Sequence, residues 1–376
     1  MKRLVLAGGG HAHLSVLKSL GERPERGLDV TLVTPDRHQY YSGMLPGFMA
    51  GHYTVDQCRV DLEPLARQAR ATMVLARAVG LNAVERSIAL SDGTTLGYDL
   101  LSLDVGSAVD AQGFEALYDA FLPAKPLGPF FERWPKILAA ARRAPGYALV
   151  VVGAGAAGLE MALAAAHALR GASAVVHLVG PSDAFLAGHA PSVRQRALAC
   201  LRDAGVQWHA QRAVGVAPVA GVHEGIGGVA LSDGAVLHCD ALVATTGAKA
   251  LDWLRTSRLG VDAKGFVTVN AQQQSTSHAD VFAVGDCCVR VDTAMQRSGV
   301  HAVRAGPVLA HNLRAVVAGQ ALHAYRPRKR SLYLLACGPR HAVASWGAWS
   351  AQGAWVWHWK DHIDRGFVQR FSVQPS

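Results

Sequence analysis

The sequence carries one short pattern twice, and this repetition constrains the fold more than any other feature. Residues 4–14 read LVLAGGGHAHL and residues 149–159 read LVVVGAGAAGL, and the two segments align without a gap. Each is an apolar run, a glycine-rich turn and the apolar beginning of a helix. A second apolar run follows each copy, at residues 30–34 and 176–179. Strand, helix and strand in this order form a βαβ unit with parallel strands, so we predict an α/β fold.

Both glycine turns have the spacing that holds a dinucleotide phosphate. The first glycine permits a tight turn and the second lets the backbone approach a pyrophosphate. The helix that follows presents N–H groups and the positive end of its dipole. The residues predicted to bind on this ground are Gly8, Gly10, His11 and Ala12 in the first copy and Gly153, Gly155 and Gly158 in the second. We therefore predict two Rossmann-like three-layer nucleotide-binding domains.

The two copies also depart from the usual motif. His13 stands where the first copy would carry its third glycine, so we expect less close packing between helix and strand there. Neither second strand ends in the carboxylate that usually binds a ribose hydroxyl. Asp36 and Asp183 lie just beyond these strands, and each is either a ribose ligand or a solvated turn residue.

A third motif, TSHADVFAVGD at residues 276–286, combines a turn, a buried strand and a terminal Gly-Asp pair. An aspartate directly after a strand can accept hydrogen bonds from a polyol chain, while neighbouring backbone N–H groups approach a phosphate. Gly285 and Asp286 are therefore candidate cofactor-binding residues. The alternative is an ordinary strand that ends in a turn.

Together these motifs resemble the pyridine nucleotide-disulfide oxidoreductases, a superfamily of flavoproteins with two dinucleotide sites, over nearly the whole chain. The resemblance implies that the first glycine turn and residues 276–286 hold FAD and that the second turn holds NAD(P)H. Residues 98–107 are similar to the mid-chain strand and Gly-Ser crossover of the family, and residues 244–248 to its matching return strand. This adds Ser107 and Gly247 to the expected binding residues. The domains implied are an FAD-binding domain at residues 1–112 and 246–322, an inserted NAD(P)H-binding domain at residues 113–245 and a C-terminal α+β module at residues 323–376.

Four shorter segments resemble the NADH dehydrogenase-like flavoprotein module that is often fused to selenophosphate synthetase (selenide, water dikinase). They are GGGHAHL at residues 8–14, YSGMLPG at residues 41–47, the Lys125-Pro126 pair and WKDHIDR at residues 359–365. This resemblance adds Pro46 to the residues expected at FAD. Lys125 either approaches the flavin, where it would stabilise negative charge on the reduced ring, or is a solvated linker lysine. Because the kinase-like half is absent, selenium phosphorylation is not expected.

The six cysteines disfavour chemistry that needs a dithiol beside the flavin. Flavoproteins of this fold that reduce disulfides or persulfides use cysteines near the ring, because a thiolate must attack it or form an adduct. The first hundred residues contain only Cys58, residues 41–49 contain none, and no CxxC pair occurs. Cys287 and Cys288 are adjacent, and such pairs rarely form a relaxed disulfide. We expect reduced thiols in a cytoplasmic protein.

Hydride transfer from NAD(P)H to FAD and electron delivery to a quinone-like acceptor remain, as in the type II NADH dehydrogenases. Glu160 matches the acidic residue that these enzymes carry between nicotinamide and flavin, although a glutamate there also suits the helix dipole. Two other functions stay open: a soluble reductase of a sulfur or selenium compound acting through Cys337 or Cys58, and a non-catalytic flavin-binding sensor. Gly180 ends the strand where a ribose-binding carboxylate usually stands, so NADH and NADPH are not distinguished.

Histidine is frequent, with 17 residues, yet the sequence contains no HExxH motif and no Cys/His cluster with metal-ligand spacing. We therefore predict no metal site. His301 opens an apolar run at residues 303–313 that predicts a helix. In the family that the sequence resembles, the N-terminus of this helix points at the flavin, so His301 is a candidate cofactor contact.

Much of the net charge of +9 lies near the end of the chain, where eight Lys and Arg residues oppose two Asp residues from His323 onward. The body of the chain has no basic run with interleaved aromatic residues, which argues against a nucleic-acid partner. Five of the eight tryptophans also lie in this last segment. Basic and tryptophan-rich segments are typical of membrane interfaces.

The apolar residues of this segment recur every four positions, which predicts a helix with one apolar stripe. The stripe consists of Trp355, Trp359, Ile363, Phe367 and Phe371, and the residues predicted to lie off it are Lys360, Asp364 and Arg370. Such a helix would lie on the inner face of a membrane and bring the flavin close to a lipid-dissolved quinone. The alternative is a strand at residues 355–357 and a following helix that cover the flavin domain or a homodimer partner.

Overall fold

A computed structural model of the chain describes residues 1–110, 113–218, 227–295, 299–328 and 330–373. The helices are α1 (His11–Glu22), α2 (Leu45–Met49), α3 (Leu62–Gln68), α4 (Leu127–Arg143), α5 (Ala156–Ala168), α6 (Pro191–Asp203), α7 (Gly299–Ala318) and α8 (Ala354–Phe371). Short 3-10 helices cover Ser42–Met44, Asp56–Cys58, Glu115–Ala120, Ser182–Ala184, Asp252–Leu254 and Gly285–Cys287.

The strands are numbered in chain order. They are β1 (Lys2–Ala7), β2 (Leu28–Thr34), β3 (His38–Tyr40), β4 (Arg59–Asp61), β5 (Thr72–Leu75), β6 (Ala78–Asn82), β7 (Ser87–Leu90), β8 (Thr95–Gly97), β9 (Leu100–Leu103), β10 (Ala108–Val109), β11 (Phe121–Pro123), β12 (Tyr147–Val152), β13 (Ala174–Val179), β14 (Gln207–His209), β15 (Ala213–Ala217), β16 (Gly228–Leu231), β17 (Val236–His238), β18 (Ala241–Ala244), β19 (Ala248–Lys249), β20 (Val267–Val269), β21 (Val281–Ala283), β22 (Cys288–Arg290), β23 (Tyr333–Ala336), β24 (Ala342–Trp346) and β25 (Trp349–Gly353).

The first glycine turn belongs to a parallel five-stranded sheet in the order β21-β9-β1-β2-β5. Alternate residues of β1 point to opposite faces, as a strand requires. Leu4 and Leu6 pack with residues of α1, α3 and α7, whereas Val5 and Ala7 pack with residues of β6 and β7. Because both faces are covered, β1 is apolar throughout its buried part. Helices, parallel sheet and the antiparallel sheet β6-β7-β8 form three layers.

The second glycine turn belongs to a parallel sheet of the same design, in the order β11-β18-β12-β13-β14. Leu149 and Val151 of β12 pack with α5, whereas Val150 and Val152 pack with residues of β16. The antiparallel sheet β15-β16-β17 therefore corresponds to β6-β7-β8, and β18 corresponds to β9. The predicted α/β fold with two Rossmann-like three-layer units is confirmed, and the repeat extends well beyond the glycine turns.

In the amino-acid sequence, the strands of the second sheet all lie between β9 and β21, which belong to the first sheet. The predicted domain limits at residues 112, 245 and 322 stay predictions, and residue 112 lies outside the described residues. Strands β23, β24 and β25 form an antiparallel sheet that contacts α5 and α6, and α8 packs against it. Helix α8 also contacts α1 and β4, so the C-terminal segment touches both nucleotide-binding units.

Helix α8 corrects two predictions made from the sequence. It starts at Ala354, so no strand forms at residues 355–357. The apolar residues of the predicted stripe do not share one face of the helix. Trp355, Trp359 and Ile363 are exposed, whereas Phe367 and Phe371 are buried. A spacing of four residues overshoots a helical turn by about 40°, and the stripe therefore passes from the solvent into the core.

The same helix buries two residues that were predicted to lie away from its packed face. Lys360 is 9% exposed and Asp364 is 4% exposed, and they share the inner face of α8. A lysine and an aspartate four residues apart lie side by side on a helix and can pair there. Their burial is therefore possible only because they neutralise one another.

His13 stands in the place of a glycine, and its side chain is bonded within the first unit. Its side chain is fully buried, and Nδ1 lies 2.6 Å from the carbonyl oxygen of Gly8 while Nε2 lies 2.8 Å from Oγ of Ser102. A carbonyl only accepts, so Nδ1–H donates to Gly8 and Nε2 accepts from the Ser102 hydroxyl. Burial lowers the pKa of His13 to about 4, which keeps the ring neutral. The imidazole connects the helix to Gly8 and to β9, but α1 lies less close to β1 and β2 than α5 lies to β12 and β13. The expected less close packing of helix and strand is therefore confirmed.

The contacts of the second turn predict how two of its glycines respond to the same substitution. A Cβ at Gly158 would lie 1.8 Å from the carbonyl oxygen of Gly153, whereas a Cβ at Gly155 would meet nothing within 4 Å. Gly158→Ala should therefore lower the free energy of unfolding by about 1–3 kcal/mol through overpacking. Gly155→Ala, the matched control, should change it by less than about 1 kcal/mol. Urea denaturation without nucleotide measures both, and equal costs would contradict the packing described.

Candidate functional site

The first glycine turn ends at a helix terminus that is prepared for a ligand. Gly8 has a φ of 96°, which favours glycine, and Gly10 precedes the first residue of α1, His11. The His11 ring lies 5.6 Å from the Tyr41 ring and 5.5 Å from the Phe367 ring, centroid to centroid. Its Nε2 atom is buried and has no hydrogen-bond partner. Burial lowers the pKa of His11 to about 4, so a neutral imidazole is available at this terminus.

The third motif lies beside the same terminus and binds a lysine from the other unit. Gly285 has a φ of 71°, and Asp286 forms an ion pair with Nζ of Lys125, which follows β11. Two residues proposed for different roles are therefore in direct contact. His301 lies two residues inside α7, with Nδ1 3.0 Å from the Tyr325 hydroxyl.

The other residues predicted to bind the cofactors differ in their burial and in their hydrogen-bond partners. Ser107 is 9% exposed, and its Oγ atom is buried without a hydrogen-bond partner. Pro46 is buried in α2. Asp36 accepts a hydrogen bond from the N–H of His38 at 2.8 Å, so its carboxylate is engaged in its own turn. Gly247 is exposed after β18, and its carbonyl accepts the N–H of Asp110 at 2.7 Å.

Asp104, which follows β9, was missed by the sequence reasoning although it lies at the centre of this arrangement. Its Oδ2 atom accepts hydrogen bonds from the N–H groups of Ala12, at 2.8 Å, and His13, at 3.3 Å. Burial raises the pKa of Asp104 to about 7, against the lowering effect of these two bonds. The repeat contains a signal for this residue, because Asp104 follows β9 as Thr245 follows β18.

The second glycine turn is more open. Gly153 has a φ of 136°, and a Cβ there would lie 2.3 Å from Oγ1 of Thr245. Gly155 precedes α5 and is exposed, so the terminus of α5 is accessible. At the end of β13, a Cβ at Gly180 would lie 2.7 Å from Cβ of Ala154. Close packing therefore explains why this strand ends without a ribose-binding carboxylate.

Glu160 lies where the two units and the C-terminal segment meet. Its Oε1 atom accepts a hydrogen bond from the N–H of Ala336 in β23, at 2.8 Å. Burial raises the pKa of Glu160 to about 7, while Lys360 and the Ala336 bond act in the opposite direction. The carboxyl is therefore divided between its protonated and ionised forms near neutral pH.

Lys360 brings a positive charge to this place from α8. Its Nζ atom donates to the carbonyl of Gly43 and to Oδ2 of Asp364, both at 2.7 Å. Burial alone would lower the pKa of Lys360, but Asp364 and Glu160 together raise it above its ordinary value. The sequence contained one sign of this role, the i,i+4 pair of opposite charges within an apolar helix.

The cysteines considered for sulfur chemistry are poor nucleophiles in this structure. Cys58 is fully buried, and burial raises its pKa to about 12. The Cys337 thiol is hydrogen bonded to Cys200, and this bond, together with burial, raises the pKa of Cys337. All six cysteines are free thiols. A thiolate at Cys58 or Cys337 is therefore disfavoured near neutral pH.

The profile of the pyridine nucleotide-disulphide oxidoreductases matches residues 2–309. The chain belongs to this family. It is therefore an FAD-dependent oxidoreductase that uses NAD(P)H, and both predicted cofactors are confirmed. The residues fit FAD, because the Nε2 atom of His11, at the end of the glycine turn, is buried without a protein partner, and so is the Oγ atom of Ser107.

Solved structures share the fold at low sequence identity. The sulfide:quinone oxidoreductase from the hyperthermophilic bacterium Aquifex aeolicus is similar with a TM-score of 0.80 and 16% identity, over 100% of this chain and 93% of that one. A ferredoxin reductase from Rhodopseudomonas palustris has a TM-score of 0.75 and 21% identity, over 92% and 82%. A water-forming NADH oxidase from Lactobacillus brevis has a TM-score of 0.74 and 18% identity, over 92% and 75%. The acceptors named for these proteins differ.

The buried Lys360–Asp364 pair predicts that loss of one ion lowers stability strongly and that loss of both lowers it little. Lys360→Met leaves the Asp364 carboxylate buried without its cation, which should lower the free energy of unfolding by about 3–5 kcal/mol. Adding Asp364→Leu should recover most of it, because apolar side chains replace both ions. Arg365→Met, in the more exposed pair with Asp361, should cost about 1 kcal/mol. Urea denaturation compares the variants, and a double variant no more stable than Lys360→Met would contradict the expectation.

Proposed function

We propose that the chain is an NAD(P)H dehydrogenase that delivers electrons to a small quinone-like acceptor. When bound, FAD supplies the redox chemistry, because it can accept a hydride from NAD(P)H and pass the electrons on. The observation that carries the proposal is the position of Glu160 beside Lys360, between the two nucleotide-binding units. A quinone needs protons as well as electrons, and these residues can hold a proton there.

The chain would hold its cofactors with the residues of the two repeats. Those proposed for FAD are Gly8, Gly10, His11, Ala12, Asp36, Pro46, Ser107, Gly285, Asp286 and His301. Those proposed for NAD(P)H are Gly153, Gly155, Gly158 and Gly247. Asp36 is the weakest of them, since its carboxylate already binds the N–H of His38.

Glu160 and Lys125 are the proposed catalytic residues. With Oε1 bound to the Ala336 N–H, Oε2 is the atom of Glu160 that would carry a proton and give it to the acceptor. The pKa of about 7 allows the carboxyl to be reloaded from water near neutral pH. Lys360 stabilises the carboxylate that remains. Lys125, held by Asp286, places a second positive charge beside the residues proposed for FAD.

The two alternatives have less support. A sulfur or selenium reductase would need a thiolate at Cys58 or Cys337, and the environment raises the pKa of both. A flavin sensor would not need an accessible second turn, whereas Gly155 is exposed at the N-terminus of α5. The narrower likeness to the module fused to selenophosphate synthetase stays a proposal. Two of its segments touch, since Lys360 binds Gly43.

The proposal predicts the behaviour of the two half-reactions of the FAD-loaded protein in anaerobic stopped flow. NADH or NADPH should bleach the oxidised-flavin band, and a water-soluble quinone should restore it. Glu160→Gln should slow the quinone step by about 100-fold at pH values below about 7, where the native carboxyl is protonated. The native rate should fall as pH rises through about 7, and the variant, which cannot ionise, should show no such fall.

Two matched variants complete this experiment. Glu132→Gln alters an exposed glutamate of α4 and should leave both steps unchanged. The double variant Cys58→Ala/Cys337→Ala should retain quinone reduction within about twofold, since no thiol takes part. Loss of quinone reduction in the cysteine variant would favour the sulfur reductase. A flavin that neither nucleotide bleaches would favour the sensor.

We also propose that the exposed part of α8 and the neighbouring hairpin contact an anionic lipid surface. The exposed apolar residues are Trp346, Trp349, Trp355, Trp359 and Ile363. The two aspartates of the segment are paired with Lys360 and Arg365, so these aspartates leave the positive charge of the other described arginines of the segment uncompensated. No helix among the described residues is long and apolar enough to cross a bilayer. A peripheral contact therefore suits this surface.

Vesicle sedimentation tests this surface. Trp355→Ser/Trp359→Ser should lower binding to vesicles of anionic phospholipid by about tenfold, because two indoles no longer enter the interface. Val84→Ser removes an apolar side chain that is 72% exposed elsewhere and should change nothing. If the native protein ignores vesicles and the double variant instead converts a dimer to a monomer, the surface is a homodimer contact.

A further inference from the structure

We infer that Asp104 shares the N-terminus of α1 with the FAD pyrophosphate, and that FAD binding takes up a proton at its carboxyl. The inference rests on the assignment of the first glycine turn to FAD. It concerns a residue outside the repeated glycine motif, and it makes retention of the cofactor depend on pH.

The geometry places the Asp104 carboxylate among the cofactor-binding turns. Oδ2 already accepts the N–H groups of Ala12 and His13 in the first turn of α1. A Cβ at Gly10 would lie 2.2 Å from Cγ of Asp104, and one at Gly285 would lie 2.8 Å from its Oδ1. Both glycines are therefore required by this carboxylate as well as by a ligand. Asp104 itself is 6% exposed.

The second copy of the repeat provides an internal comparison. Thr245 occupies the position of Asp104, and its hydroxyl, which lies beside Gly153 and Gly158, donates to the carbonyl of Val152 at 3.0 Å. A Cβ at Gly155, the counterpart of Gly10, would meet nothing within 4 Å. The N-terminus of α5 is thus left to the ligand, whereas that of α1 already receives an internal carboxylate. The two turns differ in charge although their backbones correspond.

The groups around Asp104 offer it little compensation. From the turn after β21, Asp286 acts on it with the same sign and raises its pKa, although Asp286 is itself paired with Lys125. The Cys287 thiol in that turn is neutral, since its bond to Cys288 and burial raise its pKa. From α1, burial lowers the pKa values of His11 and His13 to about 4, so both rings are neutral. The N–H groups of α1 are the main stabilisation of the ionised form.

A dianionic pyrophosphate at the same terminus would add like charge close to Asp104. Like charges disfavour the ionised form, so the pKa of Asp104 should rise further when FAD binds. Without FAD, burial already raises that pKa to about 7. Above this pH the free protein has lost the proton that the complex retains. FAD affinity should therefore fall as pH rises, until the pKa of the complex is also passed.

The test measures FAD affinity and proton uptake from about pH 6 to about pH 9, by recovery of free-FAD fluorescence and by calorimetry in two buffers of different ionisation enthalpy. The native Kd should rise by up to about tenfold per pH unit above pH 7. The Kd of Asp104→Asn and that of Asp104→Thr should each vary by less than about twofold over this pH range. Asp104→Thr copies the residue of the second turn. Asp99→Asn alters an exposed carboxylate just before β9 that pairs with Arg3 and should keep the native profile.

The outcomes separate this inference from the wider assignment. Proton uptake that survives Glu160→Gln and disappears in Asp104→Asn supports it. If both Asp104 variants keep the pH dependence of the native Kd, or if the native chain binds FAD without proton uptake, the inference is overturned while the FAD assignment stands. Failure of the native chain to bind FAD at any pH overturns both. If neither Asp104 variant folds, as judged by circular dichroism, the number of protons taken up on FAD binding decides. Uptake by both the native chain and Glu160→Gln supports the inference, and no uptake by either overturns it.

Discussion

The structure depends on the close approach of a helix N-terminus to the end of a central strand, made twice. Each turn needs glycine at its first position, since a Cβ at Gly8 would collide with Asp104 after β9 and a Cβ at Gly153 with Thr245 after β18. This approach directs the N–H groups of α1 and α5 towards the carboxyl edges of their sheets, where anions bind. The remaining layers bury both faces of each sheet and keep this edge free.

The C-terminal segment connects the two nucleotide-binding units. Its sheet supplies the N–H that binds Glu160, and its helix supplies Lys360, which reaches Gly43 in the other unit. Burying a lysine and an aspartate is costly unless they pair. Apolar side chains can replace such a pair at little cost to stability, but they could not supply the positive charge that Lys360 brings to Glu160.

The repeat and the strands beside its glycine turns were predictable because they depend on local patterns: apolar runs, glycine spacing and a Gly-Asp end. Glu160 and Lys125 were singled out because their segments resemble those of the family, and their roles stay predictions. The orientation of α8 was not predictable, because periodicity shows which side chains share a face but not which face meets the protein. Asp104 was missed for a related reason, since its partners Ala12 and His13 lie about ninety residues away in sequence.

The charged groups of the site differ in their nearest partners. Lys125 with Asp286 and Lys360 with Asp364 are neutral pairs, each held by direct contact. Glu160 and Asp104 have backbone N–H groups as their nearest partners, and burial raises the pKa of each to about 7. Because a backbone dipole compensates a buried charge less than a full cation does, both can gain or lose a proton near neutral pH. The chain therefore places one titrating carboxyl at the N-terminus of α1 and another where the three parts of the structure meet.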